Sequence, residues 1–149
     1  MNSFSHYAFG AVMEWGFTTL AGIDVIDPAY ARFRIRPRPP TPGSNPDRAV
    51  IDWVKADYDS PRGPIQSHWR RVAGGTELQV RVPANTTAVV HVPACDAAGV
   101  TVAGLPVADE PGPRGVAAGE ADGVRVLEQR TGEVVLELGS GSYRIVGRE

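Results

Sequence analysis

"ARFRIRPRP", residues Ala31–Pro39, decides how the rest of the chain is read. Phe33 and Ile35 alternate with Arg32, Arg34 and Arg36, which is the two-residue period of a strand with one apolar and one charged face. The run then ends in prolines, which strand interiors do not accommodate. "AVIDWVKADYD" (Ala49–Asp59) repeats the period, with Val50, Asp52 and Val54 on one side and Ile51 and Trp53 on the other. The Pro-Arg-Gly-Pro turn at 61–64 separates it from "IQSHWRRV". "ELQVRVP" and "TAVVHVP" flank "ANTT" (Ala84–Thr87), which reads as a short hairpin connection. "GVTVAG" and "GVRVLEQRTGEVVLELGSGSYRIVG" follow, with turns at Thr131-Gly132 and Gly139-Ser140-Gly141. About eight short strands broken by Gly- and Pro-rich turns predict an antiparallel β-sandwich of jelly-roll or Greek-key type. Residues 108–123 have little apolar content and read as a loop.

One stretch does not fit the two-residue period. In "SFSHYAFGAVMEWGFTTLAGI" (Ser3–Ile23), Phe4, Tyr7, Ala8, Ala11, Val12, Trp15, Thr19 and Leu20 recur at helical spacing and predict one helix over 3–21. Ser3 or Ser5 serves as its N-cap, and Gly22 as its left-handed stop. Gly10 and Gly16 cost about 1 kcal/mol each against Ala in a helix interior. Small residues there imply that something packs closely against the helix.

The bulk properties exclude several classes of function. The 149 residues suit one domain, and 42% hydrophobic with 21% charged residues is globular composition. Fifteen basic and 17 acidic residues are scattered to a net charge of −2, which gives no electrostatic case for nucleic acid or an anionic membrane. No apolar run approaches the roughly 18 residues of a membrane span. A basic segment followed by an apolar core is also missing, so no secretory signal is visible and a cytoplasmic location is slightly favoured. Cys95 is the single cysteine, and no Cys/His spacing suggests a metal site or calls for a cofactor.

Candidate chemistry is sparse. His6, His68 and His91 fall on different elements, with His91 in "VVHVP" read as a solvent-facing strand residue. Asp57 and Asp59 flank Tyr58 and would share one strand face, a pairing that general acid–base work could use. "DYDSPRG" reads better as turn-entry chemistry, with Asp accepting local backbone N–H bonds. No nucleophile elbow, phosphate loop or dinucleotide fingerprint is present.

Several motifs stand together in order. "SFSHYAFGAVMEW…AGI" (Ser3–Ile23), "YARFRIRPRP" (Tyr30–Pro39) and "KADYDSPRGPIQSHW" (Lys55–Trp69) are followed by "VPANTTAVVHVPA" (Val82–Ala94) and "GSGSYRI" (Gly139–Ile145). The set resembles the C-terminal part of bacterial α-L-rhamnosidases, the inverting glycoside hydrolases of family 78. The resemblance implies that residues 1–27 are the last helix of a catalytic (α/α)6 barrel and that 28–149 are the β-sandwich that follows it. It also implies that His6, in a "SHYA" stretch where the family has Asn before the His, borders the pocket for the rhamnoside substrate. Met13 stands where the family commonly has Gly. Inversion needs one carboxylic acid and one carboxylate on opposite sides of the sugar. By the resemblance both lie upstream of Met1, which predicts a fragment of a glycosidase that is inactive alone.

Two function classes follow. In the first, the chain is a non-catalytic structural domain whose partner is the catalytic barrel of the parent chain, and whose bared helix would in isolation form a homodimer or dock on the sandwich. In the second, it is a carbohydrate-binding module, with Trp53, Tyr58 and Trp69 as the rings that stack on sugar.

Overall fold

The computed structural model describes residues 7–38, 51–103, 105–106 and 123–148. Within "ARFRIRPRP", strand β2 (Arg32–Ile35) turns Phe33 and Ile35 fully inward and its arginines outward. Two strands flank it. Antiparallel β1 (Ile23–Val25) sets Ile23 opposite Ile35. On the other side β6 (Thr87–Pro93) runs parallel, with Phe33 opposite Ala88 and Ile35 opposite Val90. Antiparallel β10 (Glu133–Leu138) and β9 (Val124–Arg130) complete a first sheet in the order β1-β2-β6-β10-β9.

The second sheet contains β3 (Trp53–Ser60), β4 (Gly63–Val72), β5 (Gly75–Val82), β11 (Gly141–Arg148), β7 (Val100–Val102) and β8 (Leu105–Pro106), in the order β3-β4-β5-β11-β7-β8. All its pairings are antiparallel. The expected sandwich is therefore present, with eleven strand segments among the described residues because several are only two to four residues long.

Between the sheets lies one core. Phe33, Ile35, Val90, Val92, Leu136 and Leu138 from the first sheet meet Ile65, Trp69, Leu78, Val100 and Ile145 from the second. The sheets approach so closely at Gly147 that a Cβ there would collide with the Pro93 carbonyl, which only glycine avoids.

Local turn chemistry succeeds where a turn joins neighbours and fails where the chain changes sheet. Pro61-Arg62 closes the β3–β4 hairpin, with Ser60 opposite Gly63 and the Ser60 hydroxyl donating to the Gly63 carbonyl at 2.7 Å. Thr131-Gly132 closes β9–β10, with Gly132 at φ 79°. The "ANTT" stretch does not close a hairpin. Both edges of β5 are taken, by β4 and β11, so the chain crosses to β6 in the other sheet. Asn85 at φ 56° and the Thr86 hydroxyl on the Pro83 carbonyl, at 2.7 Å, shape that crossing.

The predicted helix is an α-helix over Tyr7–Trp15 (α1), which widens to a π-turn at Gly16–Leu20. Gly22, at φ +75°, is the expected left-handed stop. The predicted N-caps, Ser3 and Ser5, lie outside the described residues, as does the expected loop up to residue 122.

The outer face of the first sheet is a layer of ion pairs. Arg32 and Arg125 bracket Glu137 at 3.3 and 2.8 Å, and Arg34 pairs with Asp24 at 3.0 Å. Arg36 makes a two-pronged contact with Glu133 at 2.9 and 3.0 Å. His91 points to this face as expected but is not solvated. It is only 8% exposed, because the Arg36–Glu133 pair lies over it and Glu133 accepts from its Nδ1 at 2.8 Å.

Burial depresses the His91 pKa below its ordinary 6.5, against the opposing pull of Glu133. The unfolded chain therefore takes up this proton first as pH falls. The stability His91 contributes is complete above about pH 6.5 and is lost as pH falls through the folded-state value. Urea unfolding at pH 7 and pH 5 should show a loss on acidification. His91→Asn, whose amide nitrogen replaces Nδ1 without titrating, should show a smaller one; an identical loss in both proteins would contradict the assignment.

Candidate functional site

The last carbonyls of a helix lack intrahelical partners. Here the sandwich supplies one for each of four successive residues. The Arg38 backbone N–H donates to Thr19 O at 2.9 Å, and the Trp69 indole N–H donates to Leu20 O at 2.7 Å. The Ser67 hydroxyl donates to Ala21 O at 2.6 Å, and the Arg36 N–H donates to Gly22 O at 2.9 Å. Strand alternation delivers the two side-chain donors, since Ile65, Ser67 and Trp69 of β4 all face inward and are buried. Gly22 completes the joint: a Cβ there would overlap the Arg36–Pro37 peptide.

Aromatic rings brace the same joint. Phe17 meets Tyr58 edge-on with ring centroids 6.2 Å apart, and Tyr58 meets Tyr30 at 4.9 Å. Tyr30 reaches this position through two successive left-handed residues, Ala29 at φ 55° and Tyr30 at φ 58°, a conformation that strains non-glycine backbone. Burial, together with the Tyr58 hydroxyl, pushes the Tyr30 pKa up to about 12.

Among the described residues, the helix is held by its C-terminal end. Residues 10–15 are exposed, with Val12 at 66%, Met13 at 63% and Trp15 at 51%. A Cβ at Gly10 or Gly16 would meet nothing within 4 Å among the described residues. The close neighbour that these glycines imply is not in the described part of the chain.

A second feature lies on the outer face of β3, β4 and β5. Register places Trp53, Arg70 and Glu77 in one row and Lys55, His68 and Gln79 in the next. Together they line a groove of about 280 Å³. The Glu77 side chain is 4% exposed. Arg70 grips it with Nε at 3.0 Å and Nη2 at 3.1 Å, and Arg144 adds Nη2 at 2.7 Å. The Arg70 contact, then those of Arg144 and Gln79, outweighs burial and holds the Glu77 pKa at about 2.

Asp57 and Asp59 do share a strand face, but Asp57 bonds across the sheet rather than to a local turn. The Gln66 amide donates to it at 2.8 Å, and His68 Nε2 lies 3.1 Å away. These bonds, over the opposing effect of burial, lower its pKa.

The predicted stacking residues thus separate. Trp53 is exposed, Tyr58 is half-buried in the aromatic brace, and Trp69 is 2% exposed beneath the helix end. His6 lies outside the described residues. The Arg70–Glu77 grip escaped the sequence reading, although the Ala73-Gly74 turn that sets Val72 opposite Gly75 also sets this pair face to face. Among the described residues, no three His, Cys, Asp or Glu side chains converge, and no helix is long and apolar enough to cross a membrane.

A β-sandwich carrying a helix fastened, among the described residues, by its C-terminal end is the domain class that these features define. The chain belongs to the bacterial α-L-rhamnosidase C-terminal domain family, whose model matches residues 22–104. Over 94 residues it is 39% identical to an α-L-rhamnosidase of Streptomyces avermitilis, and over 93 residues 33% identical to one of Formosa agariphila. These matches take in 63% and 62% of the chain but only 8% and 9% of those proteins.

Among solved structures, the S. avermitilis α-L-rhamnosidase complexed with L-rhamnose superposes with a TM-score of 0.73 at 32% identity, over 99% of this chain and 12% of that one. The α-L-rhamnosidase from Dictyoglumus thermophilum gives a TM-score of 0.71 at 22% identity, over 97% and 14%, which is a likeness of fold.

Removing one donor from the joint leaves a buried carbonyl unpaired, at a cost of about 1–3 kcal/mol. Ser67→Ala and Trp69→Phe should each lower urea stability by that order and speed amide exchange over residues 16–22. Unchanged exchange in both variants would contradict a joint built on these bonds.

Proposed function

We propose that the chain is a non-catalytic C-terminal domain of an α-L-rhamnosidase-like glycosidase, and that it works by fastening the last helix of a catalytic (α/α)6 barrel to a rigid sandwich. The observation that carries this reading is α1 itself, an apolar helix anchored at four carbonyls while Val12, Met13 and Trp15 stand uncovered. Gly10 and Gly16 are the places where neighbouring barrel helices would approach. The small share of the relatives' length that the chain spans, 8–9%, supports the same reading.

On this reading residues 1–27 are the barrel remnant and His6 sits at the rim of the rhamnose pocket. The acid and base of an inverting hydrolysis stand elsewhere in the parent enzyme, on opposite sides of the glycosidic bond. Glu14 lies on the exposed part of α1, eight residues from His6, and substitutes for neither.

The 149-residue chain should release no p-nitrophenol from p-nitrophenyl α-L-rhamnoside, and measurable release that tracks the purified protein would overturn the proposal. Without its barrel, the same helix face should drive self-association. Sedimentation of the chain should show a concentration-dependent dimer that Val12→Glu with Trp15→Glu converts to monomer. A monomer at every concentration would remove α1 as an adhesive face.

A further inference from the structure

Apart from Trp69, the residues that line the groove on the outer face of β3–β5 belong to neither the core nor the helix joint. Trp53 forms one wall, 64% exposed on an edge strand, and such a flat apolar ring beside convergent polar groups is the usual make-up of a small-ligand site.

The polar groups are unevenly committed. Two carboxylates are occupied: Arg70 and Arg144 take both Glu77 oxygens, while Gln66 and His68 take those of Asp57. A third, Asp52, also lines the groove and lies 3.9 Å from Arg71. Donors remain. Lys55 makes no hydrogen bond to any described residue, and Arg70 spends Nε and Nη2 on Glu77 and keeps Nη1. The lining is net positive, with Lys55, Arg70 and Arg71 against Asp52 and Glu77, and Arg144 shares the charge of Glu77 from the neighbouring strand.

We propose that this groove binds a carboxylate-bearing saccharide, a uronate-containing glycan. The Trp53 indole stacks on the apolar face of one pyranose ring, and Lys55 and Arg70 donate to the carboxylate. Gln79 and His68, in the next row, face the ring hydroxyls. This site is independent of the barrel-fastening role: it needs only the sandwich, and its failure would leave that role untouched.

Titration of the isotope-labelled 149-residue chain with trigalacturonate tests it, with the fully methyl-esterified trimer as the uncharged control. The acid form should produce saturable shifts at the Trp53 indole N–H and at the amides of Lys55, His68 and Gln79. The ester should bind about tenfold more weakly or less, and added salt should narrow the difference. Trp53→Ala, a surface change whose amide spectrum reports folding, should abolish the shifts at the groove. Lys55→Gln should weaken the acid form while sparing the ester. Equal binding of acid and ester, shifts confined to other surfaces, no shift with either trimer, or unaltered binding by Trp53→Ala would each overturn the proposal.

Discussion

The structure depends on how the C-terminal end of its helix is satisfied. Four consecutive carbonyls, Thr19 to Gly22, point into a sandwich from which bulk water is excluded around Ala21 and Ile23. Each unpaired carbonyl there would cost a desolvation penalty comparable with a large mutational effect. The chain meets that demand with two backbone donors just after β2 and two side chains on the inner face of β4. Helix, first sheet and second sheet are therefore fixed to one another at a single point. The register of β4 matters twice over, because a one-residue slip would turn both Ser67 and Trp69 to the outer face.

A joint of this kind separates the helix into an anchored end and a free shaft. Most helices of globular proteins are stabilised by packing of an apolar face rather than by intrinsic propensity. The exposed part of α1 has neither such packing nor acidic residues in its first turn, and it carries Gly10 in its interior. The π-turn at Gly16–Leu20 falls between shaft and anchor, where Phe17 and Leu20 turn toward the sandwich and residues 10–15 do not. The geometry is that of a bracket, with a rigid base and an arm whose stability comes from whatever lies against it.

What the sequence disclosed depended on the range of the interaction. Period-two alternation identified Phe33 and Ile35 as core, the Pro61-Arg62 turn closed its hairpin, and Gly22 ended the helix; each signal is contained within a few residues. "ANTT" misled because its neighbours have strand partners far away in sequence, and only the complete sheet order shows that β5 has no free edge. His91 misled for a similar reason. Alternation gave its direction correctly, but Arg36 and Glu133, which cover it, are 55 and 42 residues distant. The motifs that carried the family resemblance coincide largely with the joint: Tyr30, Arg36, Tyr58, Ser67 and Trp69 all lie in them. These residues hold the helix end.

The two outer faces of the sandwich show where this domain has interactions left to make. On the first sheet Arg32, Arg34 and Arg36 are matched by Glu137, Asp24 and Glu133, so that face closes on itself. Exposed ion pairs of this sort add little stability individually, but they leave few charges seeking partners and cover Val89, His91 and Val135. On the second sheet a single nearly buried carboxylate, Glu77, serves two arginines, and an exposed tryptophan stands at the edge beside the chain's one lysine. Glu77 lies outside the apolar core, and its contacts are to Arg70, Arg144 and Gln79. It holds Arg70, which register sets across from Trp53. The asymmetry between a face whose charges are closed and one whose donors are held open is a property of strand register, and it assigns the outward-looking work of the sandwich to β3–β5.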